Sequence, residues 1–120
     1  MQILYVENHA VFAETVKQKF LSQYSVKTVP SLSAAREQMR ENAFDILLVD
    51  YDLDDGKGSE LVREVRGSAS AKRIAIIGVS SHVEGNAALL QAGADAICSK
   101  MDFDQIQNVI NRISLASGRH

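Results

Sequence analysis

The chain has 120 residues, enough to enclose one hydrophobic core, and its 46% hydrophobic and 23% charged residues are typical of an ordinary globular protein. A formal net charge of −2 without any Lys/Arg run argues against a general nucleic-acid or membrane-surface binder, which requires a basic patch. No segment is long enough for a signal-peptide core or a membrane span, and the single cysteine, Cys98, excludes an intrachain disulfide. We therefore expect a cytoplasmic protein.

Short apolar runs alternate along the chain with stretches of helical period. The runs that predict strands are residues 2–6, 26–29, 44–50, 74–79 and 94–99. Helices are predicted from apolar residues three or four positions apart in 10–21, 31–41, 59–66, 83–92 and 102–115. Ser31 or Ser33 can cap the second helix, and Gly93 is placed to end the fourth. Asp102 is expected to cap the fifth helix, and residues 116–120 are expected to fray.

Five strands that alternate with five helices predict an α/β fold, in which helices cover both faces of a parallel sheet. In such a sheet, ligands bind at the edge formed by the carboxyl ends of the strands. The residues that leave the predicted strands are two acids, a carboxamide, hydroxyls and one ammonium: Glu7, Asn8, Asp50, Ser80, Ser81, Ser99 and Lys100. This set suits a divalent cation together with a phosphoryl group.

The loop 50–58 reads D-Y-D-L-D-D-G-K-G and places four aspartates directly after the third strand. It is not an EF-hand calcium loop, because Asp55 stands where that loop needs Gly and Leu61 where it needs Glu. It is not a P-loop either, because Tyr51 stands where the first Gly is required. Residues expected only to form a solvated turn are Asp54, Asp55 and Lys57.

The chain resembles, over essentially its whole length, the receiver domain of two-component response regulators. The resemblance rests on five segments in the right order, namely residues 3–9, 44–50, 54–58, 76–81 and 92–100. It implies a single receiver domain over residues 1–120. It also implies a flavodoxin-like, doubly wound, five-stranded parallel sheet in the order 2-1-3-4-5, with five helices.

The resemblance further implies a mechanism, in which Asp50 takes a phosphoryl group from a histidine kinase or a phosphotransfer protein. The groups that would surround this phosphoryl group are Lys100, Ser80, Ser81, Tyr51, Asp52 and His82. The implied cofactor is Mg²⁺, and its ligands would be Glu7, Asn8, Asp50 and the backbone carbonyl of Asp52. Such a domain signals by binding a protein partner and is not an enzyme with its own substrate, and no nucleic-acid or membrane partner is expected.

Three positions depart from the family pattern. Asn8 stands where a second carboxylate is usual, so weaker magnesium binding is expected. Met101 replaces the proline that usually follows the lysine through a cis bond, and a cis bond here would cost about 2.5–4 kcal/mol, so we expect trans. Ile97 occupies the switch position, where many receivers carry Tyr or Phe. The switch should then run through the backbone near Ser80 and the following helix, or be muted.

Two other functions stay open from the sequence. A pseudo-receiver, which binds proteins on the same fold without phosphorylation, is favoured by Asn8, Met101 and Ile97. A small phosphatase of the haloacid-dehalogenase type would also use an Asp-x-Asp after a strand, but Leu53 stands where that family has Thr or Val, and the chain is short. The sequence does not indicate the cognate kinase, the oligomeric state or whether further domains accompany this one. A partner surface is expected to include Leu89, Leu90, Ile97 and Gln105.

Overall fold

A computed structural model describes residues 1–68 and 73–117. The strands are β1 (Gln2–Val6), β2 (Ser25–Val29), β3 (Ile46–Val49), β4 (Asp52–Leu53), β5 (Gly56–Lys57), β6 (Ala75–Gly78) and β7 (Ala96–Ile97). The helices are α1 (Ala10–Phe20), α2 (Leu32–Glu41), α3 (Gly58–Gly67), α4 (Val83–Ala92) and α5 (Ile106–Ser117), with a 3-10 helix over Lys100–Gln105. None of the helices in this described part is long and apolar enough to cross a membrane.

The main sheet is parallel and has the order β2-β1-β3-β6-β7. This confirms the predicted order 2-1-3-4-5, because β6 and β7 are the fourth and fifth strands of the main sheet. The strands β4 and β5 form a separate antiparallel hairpin. The register places Val6 opposite both Val29 and Val49, and Gly78 opposite both Val49 and Ile97. All five strands therefore end at one edge, where the chain next delivers the predicted site residues.

The sheet separates two hydrophobic cores. Ile3 and Tyr5 point to the side that α1 and α5 cover, whereas Leu4 and Val6 point to the side that α2, α3 and α4 cover. This alternation follows from the two-residue period of a strand. Each fully buried aliphatic side chain contributes about 1.5–3 kcal/mol, so the two cores together fix the position of the strand ends. Cys98 belongs to the first core, and burial raises the pKa of its thiol to about 11.

The segment before α5 differs from the prediction. Asp102 does not cap the last helix but lies inside the 3-10 helix, with φ −121°. The 3-10 helix is itself capped by Ser99, whose Oγ accepts a hydrogen bond from the Met101 amide at 3.2 Å. The physical reason is Phe103, which is buried with its ring about 6 Å from three other aromatic rings, those of Tyr5, Phe12 and Phe20. This packing holds the chain against the sheet before α5 can begin.

The predicted ends of α2 and α4 are confirmed, whereas those of the last strand and of α5 differ from the prediction. Ser31 is the cap of α2, since its Oγ accepts from the Ala34 amide at 3.1 Å, and Gly93 ends α4 with a φ of 125° that favours glycine. The last strand is shorter than predicted. Helix α5 extends to Ser117, past the point where fraying was expected, and residues 118–120 lie outside the described part.

Candidate functional site

Three charged side chains meet at the carboxyl edge of the sheet. The Nζ of Lys100 lies 2.6 Å from Oε1 of Glu7 and 3.0 Å from Oδ2 of Asp50. The side chains are 15%, 0% and 8% exposed, respectively. One ammonium is thus shared by two carboxylates in a nearly dry environment, and the cluster carries a net negative charge.

Asp50 is held in place by the chain on both sides of it. Its amide donates to the Val6 carbonyl at 3.0 Å, which continues the sheet beyond β3. Its Oδ1 accepts from the Tyr51 amide at 2.8 Å, and its Oδ2 contacts Lys100. Gly58 approaches the Asp50 backbone so closely that a Cβ there would lie 1.9 Å from the Asp50 carbonyl oxygen. Glycine at 58 is therefore needed for the turn that carries Asp50.

Lys100 reaches the site without the proline that usually follows this lysine in receivers. The Lys100–Met101 peptide bond is trans, as predicted. The Lys100 amide donates to the Ser80 carbonyl at 3.2 Å, and its ammonium lies 5.1 Å from the centre of the Phe12 ring. The backbone bond and the cation–π contact fix the two ends of the side chain.

Glu7 is surrounded by donors. Its Oε1 accepts from Lys100 and from the buried Tyr5 hydroxyl at 3.3 Å, and its Oε2 accepts from the His9 amide at 3.1 Å. The His9 ring also contacts Oε2, through Nδ1 at 3.2 Å. Sequence reasoning missed Tyr5. In an extended chain, side chains two positions apart point to the same side, so Tyr5 could have been expected beside Glu7.

The electrostatics of the three groups differ. Burial acts to raise the pKa of Glu7, but hydrogen bonds from Lys100 and His9 outweigh it and leave that pKa below its usual value. For Asp50, burial and the charge of Glu7 raise the pKa, and Lys100 offsets them only in part. Burial acts to lower the pKa of Lys100, but its two carboxylate partners outweigh this and raise it. Lys100 therefore does not fully compensate the ionised Asp50 carboxylate, a condition that favours an added cation.

Asn8 is the observation that bears on a metal ion. Its Nδ2 donates to Oδ1 of Asp54 at 3.2 Å, while its Oδ1 is buried without any hydrogen-bond partner. A buried acceptor without a donor costs about 1–3 kcal/mol, and coordination to a hard cation would satisfy it. Within residues 1–68 and 73–117 there is no group of three or more His, Cys, Asp or Glu side chains that could hold a metal. The donor set therefore fits Mg²⁺ only as a mixture of carboxylate and neutral oxygens.

The remaining predicted residues lie around this cluster. Ser80 is buried, and its Oγ accepts from the His82 amide at 3.2 Å, whereas Ser81 and His82 are exposed. The side chain of Asp52 is exposed and forms an ion pair with Lys57, whose ammonium lies 5.1 Å from the Tyr51 ring centre.

Two predictions about surface residues are corrected. Leu89, expected on a partner surface, is fully buried, because it lies on the inner face of α4 where a Cβ on Gly78 would be 2.8 Å from it. Asp55, expected to be merely solvated, is exposed but accepts from the amides of Leu32 and Ser33 at 2.9 and 3.0 Å. It thereby satisfies the free amides at the start of α2. Ile97 is 36% exposed and Leu90 is 43% exposed, as a partner surface requires.

The comparisons with known proteins agree with this geometry. The sequence pattern described as "Response regulator receiver domain" matches residues 3–111. The chain belongs to this family. Among curated relatives, the transcriptional regulatory protein ZraR of Escherichia coli is 30% identical over 90 residues, which are 74% of this chain and 20% of ZraR. The transcriptional regulatory protein CitB of Klebsiella pneumoniae is 28% identical over 115 residues, which are 92% of this chain and 49% of CitB.

This receiver domain thus spans between a fifth and a half of the length of those relatives. Among solved structures, the receiver domain of the sensor histidine kinase PA1611 from Pseudomonas aeruginosa is 25% identical, with a TM-score of 0.82 over 92% of this chain and 94% of that one. A response regulator from Chloroflexus aurantiacus is 23% identical, with a TM-score of 0.83 over 98% of both chains, and shows the same fold. The fold and the family are therefore established together.

Proposed function

We propose that Asp50 of this receiver domain accepts a phosphoryl group from a phosphohistidine, on a histidine kinase or a phosphotransfer protein, and that the phosphorylated domain signals by binding a partner. The observation that carries the proposal is the contact of the Lys100 ammonium with Asp50 and Glu7 at the sheet edge. Burying a carboxylate costs free energy, and binding a protein through the outer surface of the domain does not require such a buried, paired carboxylate. The pseudo-receiver reading is therefore the weaker one.

The transfer is a displacement at phosphorus. A carboxylate oxygen of Asp50 forms the new P–O bond while the P–N bond to the donor histidine breaks. The electron pair of the P–N bond stays on the histidine nitrogen, so a donor ring that carries a proton on its other nitrogen leaves as neutral imidazole. The obstacle is repulsion, because each pair of like charges about 4 Å apart costs about 4 kcal/mol at an effective dielectric constant of 20. Lys100 offsets part of this cost, since its ammonium already touches the carboxylate that must react.

The same lysine can serve before and after transfer. In the unphosphorylated domain it contacts Oδ2 of Asp50, and after transfer it would contact a phosphoryl oxygen while Glu7 holds it in place. The Ser80 hydroxyl would donate to a second phosphoryl oxygen, and the amides of Tyr51 and Ser81 would supply further donors. Asp52 and His82, which are both exposed, would border the phosphoryl group and influence the water that hydrolyses it.

We propose that Mg²⁺ is held by Glu7, Asn8, Asp50 and the backbone carbonyl of Asp52. When bound, the ion neutralises charge between the carboxylate and the phosphoryl group. The unpaired buried oxygen of Asn8 supports this proposal, and so does the receiver domain of PA1611, which is described with a magnesium ion coordinated in its active-site cleft. Because Asn8 is neutral, its contribution to affinity is smaller than that of a carboxylate.

Intact-mass spectrometry with a small-molecule phosphodonor tests the proposal. The protein should gain one phosphoryl group when Mg²⁺ and acetyl phosphate are present, and the Asp50→Asn variant should gain none. If no adduct forms and no donor is consumed, the pseudo-receiver is favoured. If donor is consumed without an adduct, a phosphatase is favoured.

Two predictions made from the sequence stay predictions. The family match over residues 3–111 supports a single receiver domain over residues 1–120. A cytoplasmic location is consistent with partners of the histidine-kinase class. ZraR and CitB are named as transcriptional regulatory proteins, and this chain matches only a part of each.

A further inference from the structure

Helix α4 is tied to the proposed switch serine by a buried side-chain amide. Asn86 is 6% exposed, and its Nδ2 donates to the backbone carbonyl of Ser80 at 3.1 Å. The same carbonyl accepts from the Lys100 amide at 3.2 Å. One peptide group therefore joins α4, the serine and the lysine.

The other end of the Asn86 amide has no partner. A carbonyl can only accept, so the contact with Ser80 fixes Nδ2 on that side and leaves Oδ1 as the buried atom without a donor. Buried polar groups are nearly always paired, and an unpaired acceptor is unfavourable. An apolar side chain of similar size would avoid this cost, so packing alone does not account for an asparagine at this position.

Two glycines bring α4 unusually close to the same region. A Cβ on Gly85 would lie 2.6 Å from Oγ of Ser80 and 3.0 Å from Cβ of Tyr51. A Cβ on Gly78 would lie 2.8 Å from the Leu89 side chain. Because close-packed groups cannot move independently, a displacement of Ser80 must be transmitted to α4.

We propose that Asn86 is a positioning residue that couples Ser80 to α4. When the Ser80 hydroxyl moves toward a phosphoryl group on Asp50, the Ser80 carbonyl moves with it and the hydrogen bond from Asn86 carries the helix. Coupling through Asn86 does not require an aromatic side chain at position 97, where this chain has Ile97. It rests on the proposed phosphorylation of Asp50, and it leads to a surface of α4 where Val83 and Leu90 are exposed.

Amide hydrogen exchange of α4 tests the coupling, with Mg²⁺ and beryllofluoride as the phosphoryl mimic on Asp50. In the wild type, exchange rates in residues 83–92 should change by about five-fold or more when the mimic binds. In Asn86→Ala the mimic should still bind but the exchange change in α4 should disappear. Gln91→Ala, which removes an exposed amide from the same helix, should behave as the wild type.

An α4 response of equal size in Asn86→Ala and the wild type would overturn the inference. A second measurement needs no variant: the side-chain amide proton resonances of Asn86 should shift in the NMR spectrum of the wild type when the mimic binds. Unchanged resonances in a protein with the mimic bound would overturn the coupling and leave the proposed function standing. Failure of the wild type to bind the mimic would overturn both.

Discussion

The Nζ of Lys100 lies 2.6 Å from Oε1 of Glu7, a carboxylate whose side chain has no exposed surface. This pair fixes the lysine by its strongest contact, while the contact with Asp50 is longer, at 3.0 Å. The ammonium can therefore move from Asp50 toward an incoming phosphoryl group more easily than it can leave Glu7. Glu7 acts as the anchor of the site.

Replacing Glu7 with Gln should weaken both the lysine anchor and the binding of Mg²⁺. Gln keeps an acceptor oxygen for Lys100 but loses the negative charge, and a hydrogen bond to a charged group is about twice as strong as a neutral one. Because Mg²⁺ also prefers a carboxylate ligand, the Mg²⁺ concentration that gives half-maximal phosphorylation should rise several-fold. The initial rate of adduct formation across a magnesium titration measures this. Glu14→Gln, an exposed position on α1, is the matched control and should leave the titration unchanged. An unaltered titration in Glu7→Gln would contradict the anchoring role.

Replacing Asn8 with Asp should tighten Mg²⁺ binding but destabilise the metal-free protein. Asp54, whose Oδ1 now accepts from Asn8 at 3.2 Å, would then face a second carboxylate. Two like charges at about 4 Å cost about 1 kcal/mol in water. Urea unfolding without metal should show this loss. Asn8→Asp/Asp54→Asn should recover the stability and keep the tighter binding, and a double variant as unstable as the single one would refute the explanation.

Replacing Asp50 with Asn should stabilise the protein at neutral pH. Burial and the charge of Glu7 raise the pKa of Asp50 in the folded state, so ionisation of this group opposes folding. Its contribution is most favourable below its ordinary pKa of 3.8 and is lost as the pH rises through the higher folded value. The difference in melting temperature between Asp50→Asn and the wild type should therefore grow from acid to neutral pH. A difference that shrinks over this range would contradict the assigned electrostatics.

Replacing Asp55 with Ala should destabilise α2 without blocking phosphorylation. The amides of Ser33 and Leu32 lower the pKa of Asp55, and such caps contribute about 0.5–2 kcal/mol, with the lower end expected at an exposed site. This stability is present above the ordinary Asp pKa and is lost as the pH falls through the lower folded value. Urea unfolding at neutral and acid pH measures it. Asp54→Ala, one position earlier, should cost less.

The fold was predictable because its signals are local and repeated. Apolar runs such as residues 46–49 identify buried strands, and parallel register then decides which strand ends are neighbours. That is why Glu7, Asp50 and Lys100 could be assigned to one edge from residues far apart in sequence. The order 2-1-3-4-5 came from the family resemblance and is confirmed by the structure.

Other features could not be predicted, because they depend on contacts between distant elements. Asp55 lies in the turn between β4 and β5, next to Gly56 with its φ of 149°, and this turn brings its carboxylate to the start of α2. Asn86 looks like an ordinary polar residue of a helix until the close approach of α4 buries it beside Ser80. The 3-10 helix replaces the predicted cap at Asp102 because aromatic packing around Phe103 outweighs a local capping preference.

The central claim is that Asp50, among the four aspartates of residues 50–55, is the phosphoryl acceptor. Borohydride reduces an aspartyl phosphate to homoserine, so peptide mass spectrometry after treatment with acetyl phosphate, Mg²⁺ and borohydride locates the modified residue directly. We expect homoserine at position 50, dependent on Mg²⁺ and absent without the phosphodonor. Homoserine at 52, 54 or 55, or none at all under these conditions, would contradict it.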